Sequence, residues 1–189
     1  RLSDMASDAG KPLPLTYYTD DGGIMLAIEA ARKNHEGTLL KSGVIGVGAG
    51  SLACNFRKGE ALDFYEIDPV VVRIAQDPNQ FRFLSECGQN VRMIIGDGRI
   101  EVADVSSGAY GVLVVDAFSS DSIPVHLMTR EAIDLFMQKV DDDGLLVLHI
   151  SNNHLELESV VAAIAKSLGL SVRVGYFKPQ KSEATRDMA

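Results

Sequence analysis

Apolar residues along this chain alternate between two spacings. Unbroken or near-unbroken Val, Ile and Leu runs predict strands at Gly43–Val47, Leu62–Ile67, Val91–Ile95, Gly111–Val115, Leu145–Ile150 and Ser171–Tyr176. Between them, apolar positions three and four apart predict helices: Ile24, Ala27, Ile28 and Ala31 before the first strand, then Ala132, Ile133 and Phe136. A further stripe, Leu157, Val160, Val161, Ile164 and Leu168, stops at Gly169. Asp68 before Pro69, and Thr129 before its helix, carry the chemistry of helix starts. Strands alternating with helices predict an α/β fold: a doubly wound, mostly parallel sheet with helices on both faces. Asp141-Asp142-Asp143-Gly144 reads as a solvated turn, since its acids lack the alternate spacing of a calcium loop.

In such a sheet ligands bind beyond the carboxyl ends of the strands, where the winding reverses. The first predicted strand leads into Gly46, Gly48 and Gly50, alternate glycines that allow a sharp turn and close backbone approach. The second ends at Glu66, placed to accept both hydroxyls of a ribose, and the third at Gly96-Asp97-Gly98. The fourth ends at Asp116, directly after Val112-Leu113-Val114-Val115, where a charge needs a compensating partner. These tips predict a nucleoside cofactor. Ser51 stands where the dinucleotide fingerprint needs its third glycine, which disfavours NAD. Asp97 suits an acceptor for an adenine amino group, which points to S-adenosylmethionine or a relative.

At 189 residues and 46% hydrophobic content the chain is one domain. Residues 1–15 read as a linker, 16–178 as the nucleoside-cofactor-binding catalytic domain and 179–189 as a flexible tail. A net charge of -8 argues against nucleic acid and is compatible with a cationic substrate. Cys54 and Cys87, the two cysteines, form neither a disulfide framework nor a metal-ligand pattern, so a reducing, cytoplasmic setting is expected. No apolar stretch approaches the ~18 residues of a membrane span.

Phe64-Tyr65-Glu66-Ile67-Asp68-Pro69, Gly96-Asp97-Gly98 and Val115-Asp116-Ala117-Phe118-Ser119-Ser120-Asp121-Ser122-Ile123-Pro124 together resemble the spermidine synthases, or polyamine aminopropyltransferases. That family shares the fold of S-adenosylmethionine-dependent methyltransferases. With Leu15-Thr16-Tyr17-Tyr18 and Ile123-Pro124-Val125-His126-Leu127, the sequence is most similar to bacterial spermidine-synthase-like domains often attached to membrane segments. The resemblance implies a small polyamine substrate such as putrescine and decarboxylated S-adenosylmethionine or S-adenosylmethionine as cofactor, with no metal. It allows a homodimer, and a membrane-spanning segment in a longer parent whose cytoplasmic domain this would be. It implies that Glu66 holds the ribose, Asp97 with Gly98 the adenine, and Ile67 packs on the adenine face. Asp116 would be the general base, Asp121 would bind the amine's second ammonium, and Tyr17 and Tyr18 would wall its methylene chain. Ala49 stands where aminopropyltransferases carry an aspartate for the cofactor's terminal amine. Two other readings therefore stay open: a methyltransferase, and a non-catalytic nucleoside-sensing domain of a membrane protein. The histidines add no zinc pattern; His149 reads as part of a strand, His126 as a packed or capping residue.

Overall fold

The computed structural model describes residues 7–8, 11–12, 14, 18–19, 21–36, 38, 40–118, 124–150 and 156–176. Five strands form one parallel sheet: β1 (Lys41–Ile45), β2 (Ala61–Glu66), β3 (Val91–Ile95), β4 (Tyr110–Val115) and β5 (Val140–Leu148), in the order β3-β2-β1-β4-β5. A separate two-residue antiparallel ladder joins Ser7–Asp8 to Lys11–Pro12. The helices are α1 (Gly23–Asn34), α2 (Pro69–Gln76), α3 (Phe83–Cys87), α4 (Gly98–Ala103), α5 (Arg130–Lys139) and α6 (Glu158–Ser167). Short 3-10 turns at Ser51–Asn55 and Val125–Leu127 complete the described elements.

Side chains alternate across a strand, so continuous apolar runs must be covered on both faces. Val44, Phe64, Val112 and Val114 point to one side, where they meet Ile24, Met25, Ile28 and Ala31 of α1. Ile45, Tyr65, Leu113 and Val115 point to the other, against Val102 of α4, Phe136 of α5 and Val161 of α6. The expected helix starts form: Asp68 Oδ1 accepts from Val70 N at 2.7 Å, and Thr129 Oγ1 accepts from Ala132 N at 3.2 Å.

Three expectations are corrected. Ser171–Tyr176 is not a strand: Val172 and Val174 are exposed, and among the described residues no strand edge pairs with them. The Asp141–Gly144 run is not a turn but lies inside β5, at a register irregularity between the Tyr110 and Val112 pairings. Cys54 and Cys87 are not free thiols; they are joined in a disulfide across 33 residues. The fold brings α3 back against the turn at Ser51–Asn55, so these cysteines do not point to a reducing compartment. Among the described residues no helix is long and apolar enough to cross a membrane.

The β5 irregularity is tied to α1 by His35. Its Nδ1 donates to Ala31 O at 2.7 Å and its Nε2 faces the Asp141 carboxylate at 2.9 Å, so the imidazolium is the form that satisfies both acceptors. The carbonyl bond foremost raises the pKa above the ordinary histidine value; burial opposes it and Asp141 adds to it. A raised folded-state pKa means that the stabilisation is complete below the unfolded value of about 6.5 and is lost as pH rises through the folded value. A cation at a helix C-terminus contributes about 0.5–1 kcal/mol. Thermal melts of wild type and His35→Ala should therefore differ more at pH 6 than at pH 8.5; a gap independent of pH would remove the charge from this account.

Candidate active site

The winding reverses between β1 and β4, and that is where the chain's chemistry gathers. Residues at the strand ends are stitched to one another: Gly96 N donates to Glu66 O at 2.9 Å, Gly46 N to Tyr65 O at 2.8 Å, Asp116 N to Ile45 O at 2.9 Å and His149 N to Val115 O at 3.0 Å. Glu66, the glycine loop, Asp116 and His149 thus stand in sequence along one edge.

Gly46 has φ 101°, and a Cβ added there would lie 2.5 Å from Asp116 O, so only glycine lets the ends of β1 and β4 come this close. Gly48 also has positive φ, yet a Cβ there would meet nothing within 4 Å. The loop is open on the side a ligand would approach. Glu66 reaches across to it: Oε2 accepts from Val47 N at 3.1 Å and Oε1 from Asp68 N at 3.0 Å. Each carboxylate oxygen has a second lone pair, so capacity remains for two hydroxyls. Ile67, next in the chain, is 65% exposed, an apolar side chain with its face uncovered. Asp97 Oδ1 caps α4 by accepting from Arg99 N at 2.8 Å, while Oδ2 stands 3.1 Å from His126 Nε2. His126 is therefore a partner of Asp97, where a packed or capping role was expected. A Cβ on Gly98 would collide with the Ile45 side chain, so glycine there seats α4 against the end of β1.

Asp116 is the deepest of these acids, its side chain 2% exposed. Burying a carboxylate demands partners, and two supply it: Tyr18 Oη donates to Oδ2, and His149 Nδ1 faces Oδ1 at 2.6 Å. Phe118 stands edge-on to the His149 ring, centroids 4.8 Å apart. Tyr18 is itself held from behind, since Asn55 Nδ2 donates to Tyr18 O at 3.0 Å and Arg32 Nη2 donates to Asn55 O at 3.0 Å. Asn55 adjoins the disulfide-bonded Cys54. Tyr18 therefore touches the acid directly and was not legible as more than a wall. Tyr17 and Asp121 lie outside the described residues.

His149 is the functional candidate that the apolar pattern hid. Extending the strand to Ile150 buried it in the sheet, whereas β5 ends at Leu148, which pairs with Val115. His149 is thus the first residue past β5 just as Asp116 is the first past β4. A polar residue closing an apolar run was the available signal. No group of three or more His, Cys, Asp and Glu that could hold a metal occurs among the described residues.

No protein-family model matches the chain. A polyamine aminopropyltransferase of Vibrio vulnificus is 34% identical over 109 residues, 55% of this chain and 35% of that protein. The chain thus spans about a third of the curated relative it matches. Spermidine synthase of Thermotoga maritima superposes with a TM-score of 0.58 at 14% identity, covering 85% of this chain and 54% of that one. Precorrin-6y C5,15-methyltransferase of Geobacter metallireducens gives 0.56 at 15% identity, covering 87% and 79%. Identities this low speak for the fold alone, and the fold is the Rossmann-like methyltransferase fold. Over the matched stretch the chain is thus similar in sequence to a polyamine aminopropyltransferase, and over most of its length it shares the fold of spermidine synthases and methyltransferases.

Proposed function

We propose that this domain transfers an aminopropyl group from decarboxylated S-adenosylmethionine to a small polyamine such as putrescine. The observation that carries the reading is the buried Asp116, held by Tyr18 and His149 beside an open glycine loop. The residues present fit a nucleoside: Gly46 and Gly50 pack the loop tightly against Asp116 and Leu84 while Gly48 leaves its tip open, Glu66 retains lone pairs for ribose hydroxyls, and Ile67 offers an uncovered apolar face to adenine. Asp97 would receive the base's amino group by sharing or displacing His126, whereas Gly98, packed against Ile45, only seats the start of α4 beside it. The cofactor supplies a sulfonium, which makes its neighbouring carbon open to attack.

The chain's own task is the amine. An ordinary alkyl ammonium has a pKa near ~10.4, so at neutral pH the acceptor arrives as a cation without a nucleophilic lone pair. The buried negative charge of Asp116 draws that cation to the carboxyl edge of the sheet. The Asp116–His149 pair then takes the proton and frees the lone pair. Asp121 remains the candidate for a diamine's second ammonium and Tyr17 for its methylene chain.

Ala49 favours a second reading, transfer of a methyl group from ordinary S-adenosylmethionine, because no carboxylate at that position selects the cofactor's ammonium. Calorimetry against both S-adenosyl compounds, methylthioadenosine and NAD, followed by mass spectrometry of an amine mixture, separates the possibilities. The expected result is binding of methylthioadenosine and the decarboxylated cofactor, with a three-carbon amine adduct on the acceptor. A methyl adduct selects the second reading, nucleoside binding without turnover a sensing domain, and binding of NAD alone removes all three.

A further inference from the structure

We infer that His126 competes with the base's amino group for Asp97, so that nucleoside binding displaces its ring; the inference rests on the nucleoside part of the reading above. Asp97 has one oxygen left to offer. Its Oδ1 already accepts from Arg99 N at 2.8 Å and from Ile100 N at 3.4 Å, which uses both lone pairs of that atom. Oδ2 remains, and Nε2 of His126 stands 3.1 Å from it. The nitrogen of an incoming amino group must end about 2.9 Å from the same oxygen, so the two groups contend for one place. The imidazole is the outer member of the pair, 47% exposed against 24% for the carboxylate, and a ligand arriving from solvent meets it first.

The ring can leave without unfolding the turn that carries it. His126 O accepts from Arg99 Nη1 at 3.0 Å and Met128 N donates to Val125 O at 3.0 Å, while Leu127 and Met128 are buried in the same cluster as Val115 and Phe136. Displacement is then a side-chain rotation. Its cost is the contact with Asp97: a carboxylate only accepts, so Nε2 carries a proton there, and the departing N–H has to be replaced. An adenine amino group replaces it, donor for donor. The gain from that amino group is thereby partly cancelled, and a donor ready to return to Asp97 eases release of the spent nucleoside, which keeps the same base.

The test titrates two ligands, methylthioadenosine and its analogue with hydrogen in place of the amino group, into the full chain and two variants by calorimetry. In His126→Ala, methylthioadenosine is expected to bind about three- to tenfold tighter, the range of one net hydrogen bond, and the analogue no tighter than before. His126→Gln keeps an N–H donor and should stay near the wild type with both ligands. An equal gain for both ligands would mean a merely widened site, and no gain for methylthioadenosine would mean that Asp97 is shared; either overturns the inference and leaves the transfer reading standing. In wild-type protein labelled with 15N-histidine, the ring signals of His126 should shift on saturation with methylthioadenosine and stay in place with the analogue. Signals that methylthioadenosine leaves unmoved overturn the displacement. If methylthioadenosine behaves as expected but no amine is aminopropylated, the transfer reading alone fails; if neither ligand binds any form, both fall together.

Discussion

Asp116→Asn is expected to lower turnover by about 10³- to 10⁴-fold while leaving methylthioadenosine affinity within about tenfold, roughly 1.4 kcal/mol. The asymmetry follows from where the side chain points. In the proposed reading the nucleoside's partners would be the loop backbone, Glu66 and Ile67, and the Asp116 backbone that Gly46 packs against is unaltered by the substitution. Two things change instead. The buried negative charge that attracts an ammonium disappears. The new amide N–H also faces Nδ1 of His149, across the present 2.6 Å contact, and must be accepted there. The ring's proton then has to leave Nδ1, and the arrangement of the pair is reversed. Size is conserved and Tyr18 still finds an oxygen, so the fold should hold; near-identical melting curves would accompany the loss. A variant keeping more than about a tenth of wild-type turnover would mean that the chemistry sits elsewhere on the sheet edge.

How far the sequence could be read follows from which interactions are local. Continuous apolar runs mark β1 to β4 because both faces of each must be covered, and the caps at Asp68 and Thr129 involve residues two and three apart. The same runs place Glu66, Asp97 and Asp116 at strand ends, and the register confirms the ends as neighbours. What failed was non-local or depended on a missing partner. Val172, Val174 and Tyr176 alternate as a strand should, yet they are exposed and no described strand pairs with them. Tyr18 meets Asp116 across 98 residues, and Cys54 meets Cys87 across 33, through a return of α3 that no local pattern encodes. His149 is hidden for a different reason: an apolar run tolerates a histidine, and nothing local marks the strand's end at Leu148.

The second large effect concerns the support behind Tyr18. Arg32 and Glu60 form an ion pair with side chains 7% and 3% exposed, linking α1 to the residue just before β2. Glu60 also accepts from Arg57 N at 2.8 Å, and Arg32 reaches Glu29 at 2.6 Å. Removing one member of a buried pair strands the other, which typically costs about 3–5 kcal/mol. A domain of this size has about 5–15 kcal/mol in total, so Arg32→Ala should lower the melting temperature by roughly 10 °C. The double variant Arg32→Met with Glu60→Gln should lose much less, because no uncompensated charge stays buried. Stability is only half of the expectation. Arg32 also donates to Asn55 O, and Asn55 holds the Tyr18 backbone whose hydroxyl meets Asp116. The double variant, though folded, should therefore lose turnover severalfold as Tyr18 slackens, without losing methylthioadenosine affinity. Undiminished turnover in a well-folded double variant would show that the disulfide at Cys54 holds Asn55 and Tyr18 in place without the arginine.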